Sequence, residues 1–564
     1  MEELARNNSH ADSRRDGPTN DVGQLNEAPR DADKEIGELS SPESMASSPE
    51  DDITVLAWEA NDPENPYNFS QRRKVYIQLV SILTILNSTL GSALPSNIVT
   101  KLAEQWDITS TYQKILPISV YIMGYVTGPI VFAPTSEQYG RYWITVIPFF
   151  LFVMFTMACG LAPNFPAFLV FRLFSGITAS APMTIAAGIF ADIFGDPRSR
   201  GRAMAFFMVA TVFGPLIAPI ISGFCAETIG WRWTFWIATI YAGVTLILLI
   251  PLPETYGPIL LQRRAERIRK ADPESRVYAP HEIERPNLKK LATVVLTRPI
   301  RMMMSELIVS LSSAYLSLVY GVFYMSFSAY PIIFQGVYHM SPGVCGLTYL
   351  VIGAGAFLSL PVFYWYDGYL HRKQQQQQPN SAASWAHQEE YRRLPLACLG
   401  GPLYAISLFW LGWSAREEVH WAAPVTAGLF FGMGWMLIFI ALLNYLTDAY
   451  EVFAASANAA AAVARSIVAV VLPLATTPMF ERLGIARACS LLGGIALLFS
   501  CVPFLFIWQG VRIRESSKFC IYLKERREEI ARRAEERRAE EREGSKEKGV
   551  GVEENEEVIL EEVV

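Results

Sequence analysis

The sequence predicts an all-α membrane protein with twelve transmembrane helices, and three observations carry that expectation. The chain of 564 residues is 51% apolar and 12% aromatic, yet only 18% charged. A soluble chain usually carries about a quarter of its residues as charges. The charge is also unevenly placed. Residues 1–74 and 511–564 are rich in Asp, Glu, Lys, Arg and Ser, whereas the interior holds long windows almost without charge. The net charge of −6 belongs largely to those ends, so it points to no nucleic-acid partner.

A hydrocarbon core about 30 Å thick needs roughly 20 apolar residues of helix to cross it. In chain order such windows lie near 75–95, 113–133, 142–162, 166–190, 203–224 and 234–252. Six more lie near 303–328, 345–366, 394–413, 421–443, 459–480 and 486–508. The eleventh is the weakest, because "SANAAAAVARSIVAVVLPLATTPMF" is Ala-rich and holds Arg465. Most gaps are short, so neighbouring spans should form antiparallel hairpins. Pro117, Gly128 and Pro182 fall inside spans; membrane helices tolerate them because neighbours satisfy the freed backbone groups. The polar ends, 1–74 and 511–564, are expected to be disordered, and no cleavable signal peptide precedes the first span. The tail "YLKERREEIARRAEERR" reads as a solvated, partly helical run of i,i+4 pairs. The Gln run at 374–378 reads as a low-complexity insertion. Seven Cys and six His are scattered without paired spacing. Disulfides, a metal site and a cofactor are therefore not expected.

Lys and Arg of short loops stay in the cytoplasm. With the N-terminus inside, the inner set includes Arg72, Arg141, Arg200, Arg393, Arg465 and a dense run between 253 and 301. It far outnumbers the outer set, which includes Lys101, Arg232 and Arg487. Both ends and the 253–301 segment are thus expected to be cytoplasmic. Asn7, Asn68 and Asn87 stand in Asn-x-Ser/Thr triplets, but this orientation leaves all three unglycosylated.

Three stretches stand out within this frame. The turn between the second and third spans, "SEQYGR", places Glu137, Gly140 and Arg141 between two apolar runs. Arg141 can simply anchor topology while Gly140 permits the bend. Alternatively, the charged turn is a hinge that bonds to neighbouring helix ends in one conformation and releases them in another. Arg172 lies inside the fourth span, "FLVFRLFSGITASAPMTIAAGIFAD". An ionisable group there is a functional candidate, unless it snorkels to the nearby outer end. In the fifth span, "VATVFGPLIAPIISGF", Gly214 and Pro215 give a kinked helix with a small-residue face. Close helix packing alone accounts for such a face.

Together with "NPYNFSQRRK" before the first span, "PETYGPILLQRRAERIRK" after the sixth and "LLNYLTDAYEVFAASANAAAAVARS" after the tenth, these stretches resemble the major facilitator superfamily. Within it they look like the twelve-span drug:proton antiporter group of fungi. The resemblance covers about residues 58–515. It implies two six-helix bundles, 75–252 and 302–510, joined by a cytoplasmic linker at 253–301 and enclosing a central cavity. One bundle would rock against the other to expose that cavity alternately to each side. The turn at Glu137, Gly140 and Arg141 becomes a conformational latch. Arg172 and Gly176 match the family's span-four motif. Gly214 and Pro215 match its antiporter motif, with Ala218 and Pro219 departing from the usual final residues.

By the same resemblance the cavity is lined by spans one, four, seven and ten. The candidates are Asn87, Ser180, Thr184, Tyr320, Tyr324, Trp435 and Phe439. Aromatic walls with a few hydrogen-bonding groups suit a drug-like ligand, here expected to be neutral to cationic. Plain helix packing explains any one of these aromatics equally well. Proton coupling needs a titratable carrier; Glu306 and Asp448 are candidates, with Asp192, Glu451 and Glu137 behind them. Ser328 stands where relatives often carry a glutamate. The expected function is export of drugs, toxins or secondary metabolites from the cytoplasm in exchange for protons. The protein would act as a monomer in the lipid bilayer of the plasma membrane, and not as an enzyme. Uptake of polyamines or other nutrients is the alternative within this fold, and a non-transporting sensor is the alternative outside it.

Overall fold

The computed structural model describes residues 54–59, 61–273, 275–283, 288–376, 389–450 and 453–517, with scattered positions from 519 to 532. Among them twelve helices are long and apolar enough to cross a membrane. The first six are α1 (Gln71–Ala93), α2 (Thr111–Tyr139), α3 (Arg141–Leu161), α4 (Phe165–Ile193), α5 (Ser199–Thr228) and α6 (Arg232–Leu249). The second six are α7 (Leu307–Gln335), α8 (Pro342–Gln374), α9 (Glu390–Ser414), α10 (Ala422–Tyr450), α11 (Ala454–Leu474) and α12 (Ile485–Gly510). Most connections within each six-helix set are short, so successive helices reverse direction. Arg72, Arg141, Arg200 and Arg393 gather at one end, here the basic face; Asn97, Pro342 and Gly343 mark the far face.

In the first six helices, α1 packs on α4, α5 and α6, while α3 packs on α4 and α6. In the second six, α7 packs on α11, α9 on α10 and α12, and α8 on α10. The two bundles meet where α5 lies on α8 and α2 lies on α11. Small residues permit this approach, since lipid supplies no hydrophobic force to drive helices together. A methyl group on Gly223 would fall 2.3 Å from the Pro342 carbonyl oxygen. The opposite surface of each bundle remains apolar: Ile240, Val244 and Ile247 form an exposed stripe along α6 at helical spacing.

Hydrogen bonds fasten the bundles together from the far face to mid-depth. The Asn97 amide donates to the carbonyls of Pro219 (2.9 Å) and Pro342 (3.1 Å), and accepts from Gln335. The Gly343 N–H donates to Glu227, Ser119 to the Val470 carbonyl, and the Tyr324 hydroxyl to Ser92. On the basic side, by contrast, the ion pairs Arg141–Asp192, Arg393–Asp448 and Arg514–Glu390 each stay within one bundle.

The sequence-based expectations need several corrections. Disorder was expected throughout 1–74, but residues within 54–59 and 61–70 pack against the 253–301 segment. Thr54 and Val55 pair in parallel with Val277 and Tyr278. Asp62 pairs with Arg264, and Glu64 with Arg267 at 3.0 Å. The Glu64 backbone N–H and then Arg264 hold the Asp62 carboxyl below its usual range. The stretch "ILLQRRAERIRK" lies in the helix Gly257–Ala271. The eleventh span covers Ala454–Leu474 rather than 459–480, and a separate helix, Thr476–Leu483, follows it. Arg465 therefore sits inside the span, not on the basic rim where the charge count placed it. The helix of α8 runs on to Gln376, and the rest of the Gln run lies outside the described residues. So do most of the charged tail, Asn7 and Glu451.

Candidate functional site

The turn between α2 and α3 is built around Gly140, whose φ of +92° lies where side chains are strained. Any β-carbon there would fall 2.3 Å from the Glu254 carboxylate. That carboxylate sits on the N-terminus of α3, accepting from the backbone N–H groups of Arg141 (2.9 Å) and Tyr142 (3.3 Å). It also accepts from Thr255 and Tyr256, so one acid ties the segment after α6 to the start of α3. A helix N-terminus with free N–H groups favours this negative charge. Arg141 is buried, and its side chain bonds to Asp192 at the end of α4 (3.0 Å) and to Ser136 (2.6 Å), and lies over the Tyr256 ring. Glu137 is exposed. Of the three predicted latch residues, Gly140 and Arg141 meet, while Glu254 and Asp192 supply the acids. Glu254 was missed, although it stands in the quoted "PETYG".

Arg172 is 1% exposed and neither snorkels nor faces open water. Its guanidinium donates to the carbonyls of Gly91 (2.8 Å), Ser92 (3.2 Å) and Pro117 (2.9 Å), and stacks on Tyr121. Gly91 and Ser92 belong to the last turn of α1, where helix carbonyls lack partners and favour a cation. The arginine is thus a cap that joins α1, α2 and α4. Gly214 on α5 is equally structural in its surroundings. A β-carbon there would lie 1.9 Å from Thr89 Oγ1, so α5 presses directly on α1.

The predicted cavity residues divide into two groups. Asn87 donates to Thr245 of α6 (2.9 Å), away from the centre. Ser180 and Thr184 lie on the α4 face that receives Gly128 of α2, and Ser180 meets Thr127. The aromatics, however, come together. Phe323, Trp435, Phe439 and Tyr320 form a run of near-parallel rings with centroids 5.0, 5.1 and 6.2 Å apart. Tyr324 packs edge-on against Tyr320 and reaches Ser92 across the bundle seam. Arg465 of α11 closes this run, its guanidinium 5.1 Å from the Phe439 ring and 5.4 Å from Tyr320. The hint in the sequence was the same as for Arg172, a lone arginine inside an apolar run. The Ala-rich composition around it made this span the weakest of the twelve and blurred its bounds.

The family description "Major Facilitator Superfamily" matches residues 80–473. The chain belongs to the major facilitator superfamily. The MFS-type transporter penM of Penicillium rubens is 35% identical over 493 residues, covering 86% of this chain and 94% of that protein. The MFS-type efflux pump MFS2 of Trichophyton rubrum is 36% identical, covering 84% and 78%. Among solved structures, a D-xylose-proton symporter superposes with a TM-score of 0.55 at 16% identity, over 77% of this chain and 97% of that one. The protein is therefore a multi-pass membrane transporter of the major facilitator type, not an enzyme.

The two bundles of this major facilitator fold repeat one ion pair. In the first, Arg141 at the start of α3 meets Asp192 at the end of α4 at 3.0 Å. In the second, Arg393 in the opening turn of α9 meets Asp448 in the closing turn of α10 at 3.1 Å. Asp448, named as a coupling candidate, is thus held by Arg393 and not by Arg465. Glu306 differs from both acids. It is 4% exposed, stands immediately before α7 and accepts a hydrogen bond from the Tyr450 hydroxyl at 3.0 Å. Among the described residues, no group of His, Cys, Asp or Glu clusters closely enough to hold a metal ion.

Proposed function

We propose that this transporter exports small organic molecules from the cytoplasm by alternating access, with protons flowing the other way. The basic face is the cytoplasmic one under the positive-inside rule. The carrying observation is the lopsided seam: the bundles are fastened from the far face to mid-depth, and the aromatic run with Arg465 lies where that fastening stops. A molecule entering from the basic side would meet those rings first. The named efflux pump among the relatives supports the outward direction.

The latch reading assigns Gly140, Arg141, Asp192 and Glu254 to the first bundle's basic rim, and Arg393 with Asp448 to the second. As the bundles rock, these charge-assisted bonds hold each rim in one state and re-form with other partners in the other. Glu306 is the proton carrier of choice, because Asp192 and Asp448 are each already held by an arginine. The protein acts as a monomer in the plasma membrane.

Sealed vesicles containing the purified protein, with an imposed pH gradient, test this directly. Uphill movement of a fluorescent drug-like probe should follow the gradient and vanish with an uncoupler. Glu306→Gln should bind the probe but lose gradient-driven accumulation. Accumulation indifferent to the gradient, or a Glu306→Gln protein that pumps normally, would refute the coupling.

A further inference from the structure

Arg465 combines features that the export reading leaves unexplained. The residue is half-buried near the middle of α11. Arg172, the other deep arginine, spends its donors on three carbonyls. Arg465 donates to no acceptor among the described residues; its neighbours are the faces of Tyr320 and Phe439. Ring faces attract a cation, but they leave its five N–H donors without oxygen partners. A guanidinium in this state is matched by an anionic ligand presenting two oxygens.

A second, independent observation lies beside it. Trp435 is 2% exposed, and its indole N–H has no hydrogen-bond partner. It belongs to the same run of rings, between Phe323 and Phe439. A buried donor left unmet is unfavourable in the empty site and is relieved by a ligand acceptor. The opposite charge is scarce in this region: Asp192 and Asp448 are tied up at the basic rim, and Glu306 sits at the basic end of α7 with Tyr450.

We infer that the central site selects planar aromatic molecules bearing a carboxylate or phenolate, the anion on Arg465 and the ring system along Tyr320, Phe439 and Trp435. This rests on the transport reading of the same site, and it reverses the neutral-to-cationic substrate expected from the sequence. Arg465 recognises charge, the rings recognise flatness, and Trp435 offers one further donor to an oxygen substituent.

Three isosteric probes separate these features: 2-naphthoate, 2-naphthamide and 2-(aminomethyl)naphthalene. Equilibrium binding is measured on the full chain in lipid nanodiscs, with gradient-driven uptake into vesicles measured in parallel. The wild-type protein should bind the carboxylate about tenfold or more above the amide, the range of one charge-assisted pair. Arg465→Gln should erase that preference by lowering acid binding to the level of the amide, and Arg465→Lys should retain part of it. An unaltered elution profile and melting temperature would show that each variant folds. Equal loss of acid and amide in Arg465→Gln, tighter binding of the amine to the wild type, or binding of none of the three would overturn the inference. Uptake of the amine or of a neutral drug would do so while sparing the export reading. Acid binding with no gradient-driven movement would sustain the site and sink the export reading instead.

Discussion

Gly140 and Arg172 show how single residues hold the basic rim and the core of the first bundle. At Gly140 the backbone takes a φ of +92°, and the space a side chain would occupy belongs to Glu254. Gly140→Ala must either strain the turn or expel the carboxylate from the α3 N-terminus. The expected loss is about 1–3 kcal/mol, visible as a lower melting temperature in detergent. An unshifted melt would mean that Glu254 moves aside freely and is no clamp. Arg172→Met keeps the volume but leaves the α1 carbonyls of Gly91 and Ser92 without donors. Each unmet buried group costs about 1–3 kcal/mol, so this variant should melt well below the wild type. Arg172→Lys should recover only part of the difference, because an ammonium does not span three diverging carbonyls as a planar guanidinium does. If Met and Arg melt alike, the cap assignment fails.

At the scale of elements, the segment before α1 and the helix Gly257–Ala271 form a small polar clamp. Its strand pairing is flanked by Asp62–Arg264 and Glu64–Arg267. The Asp62 carboxyl is held below its usual value, first by the Glu64 N–H and then by Arg264. A lowered folded-state value means that the stabilisation is complete above the ordinary Asp range. It is lost as pH falls through the lowered value, that is, below about 3.9. Hydrogen exchange at the Thr54 and Leu56 amides, corrected for intrinsic rates, should therefore show steady protection from neutral pH to about 4.5. Protection should decline only in stronger acid, and Asp62→Asn should lack that acid step. A decline between pH 5 and 7 would assign the clamp to another group. The elements themselves were largely legible in the sequence. Length and apolarity located all twelve spans, because crossing a bilayer demands both. Their ends were less legible: α2 runs to Tyr139 and α8 to Gln374, since polar residues can finish a helix that apolar ones begin. The clamp was illegible because its ion pairs join residues some two hundred positions apart. Arg141 could be singled out as a lone charge in an apolar hairpin, but its acid partners lie on α4 and after α6. Asn87 shows the converse, a polar residue in a lining span whose rotation about the helix axis turns it toward α6.

For the whole molecule the decisive feature is the contrast between its two ends. Far-face contacts bridge the bundles, whereas the basic-face pairs Arg141–Asp192 and Arg393–Asp448 bind within each bundle. A transporter whose bundles rock must open the first set to release its cargo outward, so locking that seam should stop transport without disturbing entry. Ser119 on α2 donates to the Val470 carbonyl on α11 at 3.1 Å, which brings the two chains close at the seam. The double variant Ser119→Cys, Val470→Cys, in a background where the seven native cysteines are replaced, supplies a reversible lock. Oxidation should abolish export from loaded vesicles, and reduction should restore it. Ligand binding from the basic side should persist in the oxidised protein, because the site lies where the seam ends. Normal export by the fully crosslinked protein would mean that the α2–α11 seam never parts, and alternating access by rocking these bundles would be excluded.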